Sequence, residues 1–283
     1  MLSQHCLSGL LEQPVEARPK PIGHNADVEY ERFADIYSVW TSTAPSARAN
    51  RSFYVDAYLG AAGLVCELGV GDGRIAVDAA ARGCAMVGVD SSPAMLALCR
   101  DRANRAAVSH LMTLIEADFR TFELPSPAGL IALPYHSIGH LQSIDDKRAA
   151  LRQVHAQLRP GGTFVFDDFF MTPATLERMR HVQLRAEYTS TGGNDVLLWV
   201  TSLVNETEQS MRVVTWEDAL DTDGTLRSRR YRKLSLSWLE PAQAKQLLED
   251  TGFIIDHCFG DFDHTRFDAA SAQEQIWIAH KAA

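Results

Sequence analysis

The chain has 283 residues, 46% of them hydrophobic and 22% charged, enough apolar material for one large folded unit or one such unit with an appended cap. Its net charge of −9 points away from a nucleic-acid partner, which leaves a basic footprint on the protein that binds it, and favours a small-molecule ligand. Five cysteines, odd in number and without a C-x-x-C pair, signal neither a disulfide framework nor a zinc site. No metal, no membrane segment, no secretory leader and a reducing cytoplasm are therefore the expectations.

Pro14, Pro19 and Pro21 interrupt residues 1–26, which read as a flexible tail. From Asp27 onward, Tyr30, Phe33, Tyr37 and Trp40 recur at spacings of three and four, the pattern of an aromatic helix face. That face either packs into the core or closes over a ligand. Residues 64–68 are mostly apolar and predict a buried strand, followed by Gly69-Val70-Gly71-Asp72-Gly73 and a helix from Arg74. Residues without a Cβ allow the tight turn and the close approach of backbone N–H groups to a ligand, and the helix N-terminus adds positive potential. Strand, glycine turn and helix together make a nucleotide-type site. The dinucleotide fingerprint is G-x-G-x-x-G, whereas this chain carries G-x-G-x-G preceded by the acid Glu67.

Val87-Gly88-Val89-Asp90 reads as a second strand ending in an acid, and Ser92-Pro93 as the cap and first turn of a helix running to about residue 107. A third strand over 111–115 leads into Glu116-Ala117-Asp118-Phe119, and a fourth from Leu130 runs into a loop reaching Leu141. A helix over 145–158, the turn Arg159-Pro160-Gly161-Gly162 and a fifth strand over 163–169 follow. This alternation predicts a parallel sheet with right-handed crossovers and a ligand crevice at the carboxyl ends of its strands. Residues 183–238 change character: β-rich stretches at 196–200, 211–216 and 231–238, separated by turn sequences, predict an antiparallel meander capping the site. Its Arg227, Arg229, Arg230, Arg232 and Lys233 read as a solvated strand face. A helix over 240–250, a sixth strand over 252–256 and a reversed last strand over 275–279 complete the chain.

The three ordered strand ends, Glu67 with the glycine turn, Asp90, and Asp118-Phe119, resemble those of the class I S-adenosylmethionine (SAM)-dependent methyltransferases. Pro134-Tyr135-His136-Ser137-Ile138-Gly139-His140-Leu141 resembles the P-F-x-S-x-x-H-L loop of bacterial small-molecule, natural-product members, and Gly260-Asp261-Phe262-Asp263 with Ile276-Trp277-Ile278-Ala279 resembles their closing segment. Ala128-Gly129-Leu130 departs from them in lacking the acid that opens the fourth strand. The resemblance covers residue 27 to the C-terminus. It implies a doubly wound, mostly parallel seven-stranded α/β sheet of Rossmann-like type, with an antiparallel β-meander cap and an N-terminal helical lid. The corresponding division is a tail (1–26), a SAM-binding domain with its lid helix (27–182), the β cap (183–238) and a closing part of the SAM-binding domain (239–283).

The implied cofactor is SAM, held by Glu67, Gly69, Gly71, Gly73, Asp90, Ser91, Met95, Ala117, Asp118, Phe119 and Leu133, with Tyr30 and Tyr37 closing over it. In this reading Asp90 accepts the ribose hydroxyls, and Asp118 with the next N–H contacts adenine. The acceptor is a small molecule, methylated at carbon, nitrogen or oxygen. His136 is the candidate base because its expected position faces the acceptor and an imidazole titrates near neutral pH, with Tyr135 and His140 as alternatives; His140, just before a helix, reads first as a capping or packing residue. Trp40, Asp168, Trp199, Trp216, Tyr231 and Trp238 are the candidate acceptor-pocket residues; Asp167 or Asp168 either contacts an acceptor amine or caps a turn. Asp261 and Asp263 face the acceptor or merely pack their loop. Two other readings stay open: a non-catalytic SAM-binding partner protein, and a nicotinamide-dependent oxidoreductase.

Overall fold

The computed structural model describes residues 36–43, 45–190 and 192–283, so the tail, Tyr30 and Phe33 lie outside the described residues. Two short helices lead in, α1 (Tyr37–Thr43) and α2 (Pro45–Gly60). The alternating part follows as β1 (Val65–Leu68), α3 (Ala76–Ala81), β2 (Met86–Asp90), α4 (Pro93–Arg105), β3 (Met112–Glu116), β4 (Ala128–Leu133), α5 (Ile144–Gln157) and β5 (Leu158–Phe169). After α6 (Pro173–Arg180) come β6 (Gln183–Thr189), β7 (Asp195–Asn205), β8 (Ser210–Leu220) and β9 (Leu226–Ser237). The chain closes with α7 (Pro241–Asp250), β10 (Phe253–Phe259) and β11 (Glu274–Lys281).

The seven-stranded sheet has the order β10-β11-β5-β4-β1-β2-β3. β1 to β5 pair in parallel, while β11 runs antiparallel to both β5 and β10. Helices cover both faces, so β1, β2 and β4 are buried along their whole length, which is why they read as unbroken apolar runs. Successive residues feed opposite cores. Val65, Leu130, Ala132 and Val165 join one cluster; Cys66, Ile131, Leu133, Phe164 and Phe166 join the other. Ser92 caps its helix as expected, its Oγ accepting the Met95 N–H at 3.3 Å; Ser143 Oγ does the same for α5, accepting the N–H of Asp146 at 3.0 Å.

Three features differ from the sequence reading. The sequence reading has no counterpart to α2, because its first half is polar and small and carries no apolar stripe; its buried apolar residues among those described, Phe53, Tyr54, Val55 and Tyr58, crowd its second half. The Arg159-Pro160-Gly161-Gly162 segment is the start of β5 rather than a turn before it, Leu158 pairing with Ala128 across a register shift. The meander has four strands, in the order β6-β7-β8-β9. β6 escapes pattern reading because a bulge between Leu184 and Ala186 breaks its alternation.

The second sheet docks on the first through Met211, Val213, Leu236 and Trp238, packed with Leu176, Phe169 and Trp40. Gln142 Nε2 donates to the Ser235 carbonyl at 3.0 Å, joining the loop after β4 to β9. No helix among the described residues is long and apolar enough to cross a membrane.

Gly129 lies where β4 begins, and a Cβ there would stand 1.8 Å from the Ala62 carbonyl oxygen, a backbone atom that cannot swing aside. Gly129→Ala is expected to cost about 2 kcal/mol or more through overpacking, lowering Tm by roughly 4 °C or more. Gly60→Ala, with nothing within 4 Å of the added methyl, should leave Tm unchanged or slightly raised in the same calorimetric scan.

Candidate active site

The glycine turn follows β1 with positive φ at Gly69 (65°), Gly71 (54°) and Gly73 (76°). Gly73 is doubly constrained, since a Cβ would fall 2.5 Å from Cys99 Sγ of α4. Asp90, at the end of β2, holds the turn: its Oδ2 accepts the Gly71 N–H and its Oδ1 the Ser92 N–H, both at 2.9 Å. From α4, Arg102 Nε donates to the Asp72 carbonyl at 2.9 Å and its guanidinium pairs with the Asp72 carboxylate. The Tyr37 ring lies 3.6 Å from the position of a Gly71 Cβ, and Phe119 Cζ 3.3 Å from that of Gly69. Open backbone at the turn, an acid at the second strand end and flanking aromatic rings form a cradle that fits an adenosyl cofactor.

The other expected cofactor residues divide. Glu67 is buried; burial raises its carboxyl to about 8, opposed by the 2.9 Å hydrogen bond donated by the Tyr58 hydroxyl and by Arg74. The Ala117 N–H donates to the Asp90 carbonyl at 3.1 Å, Ser91 stands at the end of β2, and Leu133 and Met95 are buried beneath the crevice. Asp118 is occupied differently from the expectation. Arg120 grips its carboxylate with Nε at 2.8 Å and Nη2 at 2.6 Å, extends Nη1 to Asp146 at 2.6 Å, and holds Asp118 below the usual carboxylate range. An adenine amine would have to share that carboxylate with a guanidinium.

Beyond β4 the backbone makes an unusual turn. Tyr135 and His136 are consecutive non-glycine residues in the left-handed region, with φ of 61° and 57°. Asp167, fully buried on β5, fixes them: Oδ1 accepts the Tyr135 N–H and Oδ2 the His136 N–H, both at 2.9 Å, while the Tyr54 hydroxyl of α2 donates to Oδ1 at 2.5 Å. The His136 ring stacks on Phe169 at 3.9 Å between centroids, and its Nε2 lies 2.7 Å from Glu274 Oε2 on β11. Burial alone would lower its pKa, but the carboxylates of Glu274, Asp167 and Asp168 together lift it to about 9. His140 goes the other way: burial and the nearby Lys147 ammonium drop it to about 4. The expected base is therefore protonated at neutral pH, and its neighbour four residues on is not.

Lys147 anchors that loop from beneath. Its Nζ is 2.9 Å from the Ile138 carbonyl and 2.7 Å from Ser237 Oγ, and it also donates to the Leu141 carbonyl. Sequence reading missed it because a lysine inside an amphipathic helix ordinarily points to solvent. It also missed Glu274, which lies 138 residues from His136. Asp168, expected at the acceptor, is instead enclosed by backbone: its Oδ2 accepts the Leu239 N–H at 2.9 Å and its Oδ1 that of Phe169 at 2.8 Å, and burial raises its pKa. Asp261 and Asp263 accept the N–H groups of Phe262 and Thr265, which is loop packing.

A cavity of about 250 Å³ opens between this turn, α1, α6 and the inner face of the second sheet. Tyr37, Trp40, Tyr135, His136 and His140 line one side; Met211, Val213, Leu234 and Leu236 line the other. Three aromatics expected there lie elsewhere. Trp199, Trp216 and Tyr231 pair side by side across β7, β8 and β9, one residue out of step with the cavity-facing positions, and so occupy the opposite face. Trp216 is covered there by the Arg229 guanidinium, 5.6 Å from its ring centre. Trp238 is buried in the cluster that docks the two sheets, behind the cavity wall.

Comparison with known proteins agrees with this geometry. Residues 65–162 match a family described as a methyltransferase domain. A carboxy-S-adenosyl-L-methionine synthase from Vibrio parahaemolyticus is 27% identical over 130 residues, 46% of this chain and 52% of that one, so the chain spans about half the length of the curated relatives it matches. Among solved structures, the CcbJ methyltransferase from Streptomyces caelestis superposes with a TM-score of 0.77 at 24% identity, over 92% of this chain and all of the other. The SAM-bound structure of CalS10, an amino pentose methyltransferase from Micromonospora echinaspora, gives 0.65 at 19% identity, covering 87% and 97%. Residues 65–162 thus match a methyltransferase domain, and the strand order with the superposed structures gives the chain the Rossmann-like fold of SAM-dependent methyltransferases.

Proposed function

We propose that the protein transfers a methyl group from SAM to a small-molecule acceptor held in the cavity beneath the second sheet. The supporting observation is a shared wall. Tyr37 lies against Gly71 of the cofactor cradle and also lines the cavity, so the two compartments meet at one ring. An open cavity beside the cradle favours an enzyme over a non-catalytic SAM-binding partner, and the G-x-G-x-G turn disfavours a nicotinamide enzyme. The small-molecule, natural-product reading gains support from neighbours such as the amino pentose methyltransferase.

In this reading Asp90, the glycine turn, Ala117 and Phe119 hold the cofactor, which supplies an electrophilic methyl group on a sulfonium. The protein supplies alignment, which accounts for most of the rate in such displacements. Tyr135 and the inner face of the second sheet fix the acceptor, and Trp40 closes the cavity from α1. Removal of a proton from the nucleophile falls to His136, with Glu274 as the group that sets its charge. A ring with a pKa of about 9 is free of its proton in only about one molecule in a hundred at pH 7, so a His136-dependent rate climbs with pH until about 9.

Titration calorimetry with S-adenosylhomocysteine tests the cofactor half: one site per chain is expected, none for NAD, and an affinity at least about tenfold weaker in Asp90→Ala. An unchanged affinity in that variant removes Asp90 from the cofactor site. For the proton step, NMR of the imidazoles should show His136 titrating near 9 and His140 still neutral above pH 5. Glu274→Gln takes away the negative charge that holds the proton, so the His136 titration and the rise in rate should both move to lower pH. A rate that is flat between pH 6 and 9 removes His136 as the base.

A further inference from the structure

The charge of the cavity wall is opposite to that of the chain. Among the described residues lining the cavity none is an aspartate or a glutamate, although the chain carries a net charge of −9. Arg178 from α6 and Arg185 from β6 both contribute to the wall, and neither has a carboxylate within ion-pair distance among the described residues. The other basic groups there are already matched: His181 stands 3.1 Å from Glu177, and His136 is paired with Glu274. Arg185 Nε is buried without a hydrogen-bond partner among the described residues, and its guanidinium lies over the Trp40 ring, 5.0 Å from its centre. A guanidinium donates through five N–H groups in a fixed fork, and leaving one of them buried and unmatched is costly unless a ligand completes it. The remainder of the wall, Met211, Val213, Leu234 and Leu236, is aliphatic.

We infer that the acceptor is an amphipathic anion: an apolar body against the second sheet, with a carboxylate or phosphate bound by Arg178 and Arg185 away from the reacting atom. This rests on the cavity being the acceptor site of the proposed transferase. It adds a requirement that the cofactor cradle does not contain. An oxyanion suits the guanidinium fork, since paired N–H donors match two oxygens of either group. A neutral acceptor of the same shape would leave Arg185 Nε unmatched and bind more weakly.

Three probes separate the possibilities: 2-naphthoate, 2-naphthyl phosphate and the neutral 2-naphthamide, each titrated calorimetrically into the full chain saturated with S-adenosylhomocysteine. At least one anion should bind tenfold or more tightly than the amide, and whichever is tighter identifies the oxyanion as carboxylate or phosphate. That preference should vanish in the double variant Arg178→Gln, Arg185→Gln. Raising the salt from 50 to 500 mM in the wild-type protein should weaken the anion and leave the amide unaffected, a readout that requires no variant. Equal binding of anion and amide, binding of none of the three, or a preference that survives the double variant overturns the inference. S-adenosylhomocysteine titrated into the protein before any probe is added reports on the cofactor cradle separately, and the probes are also titrated without it. If it fails to bind while the arginine-dependent preference holds, the methyltransferase reading falls and the anion site stands; if it binds and the preference is absent, the reverse is true.

Discussion

The Asp167 carboxylate, buried at the end of β5, accepts hydrogen bonds from the Tyr54 hydroxyl and from the backbone N–H groups of Tyr135 and His136. Each left-handed non-glycine residue costs on the order of 1 kcal/mol, and a hydrogen bond to a charged group contributes about 1.5–3 kcal/mol. The two N–H bonds therefore more than offset the backbone strain of the two residues they hold. Their donors are consecutive, so the carboxylate fixes the direction in which the chain leaves β4, and with it the positions of His136 and His140 at the cavity. Tyr54 completes the shell from α2, which makes that helix a strut of the active site as well as a lead-in to the fold. α2 also sends Tyr58 to Glu67 and Asn50 to Arg74, whose Nη1 donates to the Asn50 side chain at 2.9 Å. The same helix thus supports both the end of β1 and the turn after β4.

The two histidines of that turn meet opposite electrostatic surroundings. His136 faces the carboxylates of Glu274, Asp167 and Asp168, which overcome burial and keep it charged. His140 faces the Lys147 ammonium, which acts in the same direction as burial and keeps it neutral. Four residues of separation suffice because the intervening 3₁₀ turn, Ser137–His140, carries the second ring toward α5 and the first toward β11. Residue type alone makes the two equivalent candidates; only their neighbours tell them apart.

The glycine turn, Asp90 and the alternation of strands and helices were legible in the sequence because each is local: a few adjacent residues specify the conformation, and burial on both faces of a parallel sheet leaves unbroken apolar runs. What could not be read depends on distance or on parity. Glu274 reaches His136 across the β5–β11 pairing, and no local pattern announces that contact. Trp199, Trp216 and Tyr231 are on a strand face, but which face turns toward the cavity depends on the alternation of the whole meander, and both faces carry apolar residues. A choice wrong by one residue reverses every assignment. Asp118 is a third kind of case: the motif is present, and a neighbour two residues away, Arg120, already uses its carboxylate.

The separation of tasks follows from the same architecture. The glycine turn is made at strand ends of the first sheet, where backbone conformation sets its shape, so its sequence is short and recognisable. The cavity is closed by α6 and by the inner faces of β6 to β9, where side chains of several types can fill the same positions without disturbing the sheet beneath. Lys147, together with Gln142, couples the loop after β4 to the cap. By bonding to the Ile138 and Leu141 carbonyls and to Ser237 at the end of β9, it ties the loop bearing His140 to the last strand of the cap. A shift of the second sheet on binding an acceptor would therefore act on the loop that carries the histidines, and part of the coupling runs through a cation whose own burial is tolerated only because three oxygens satisfy it.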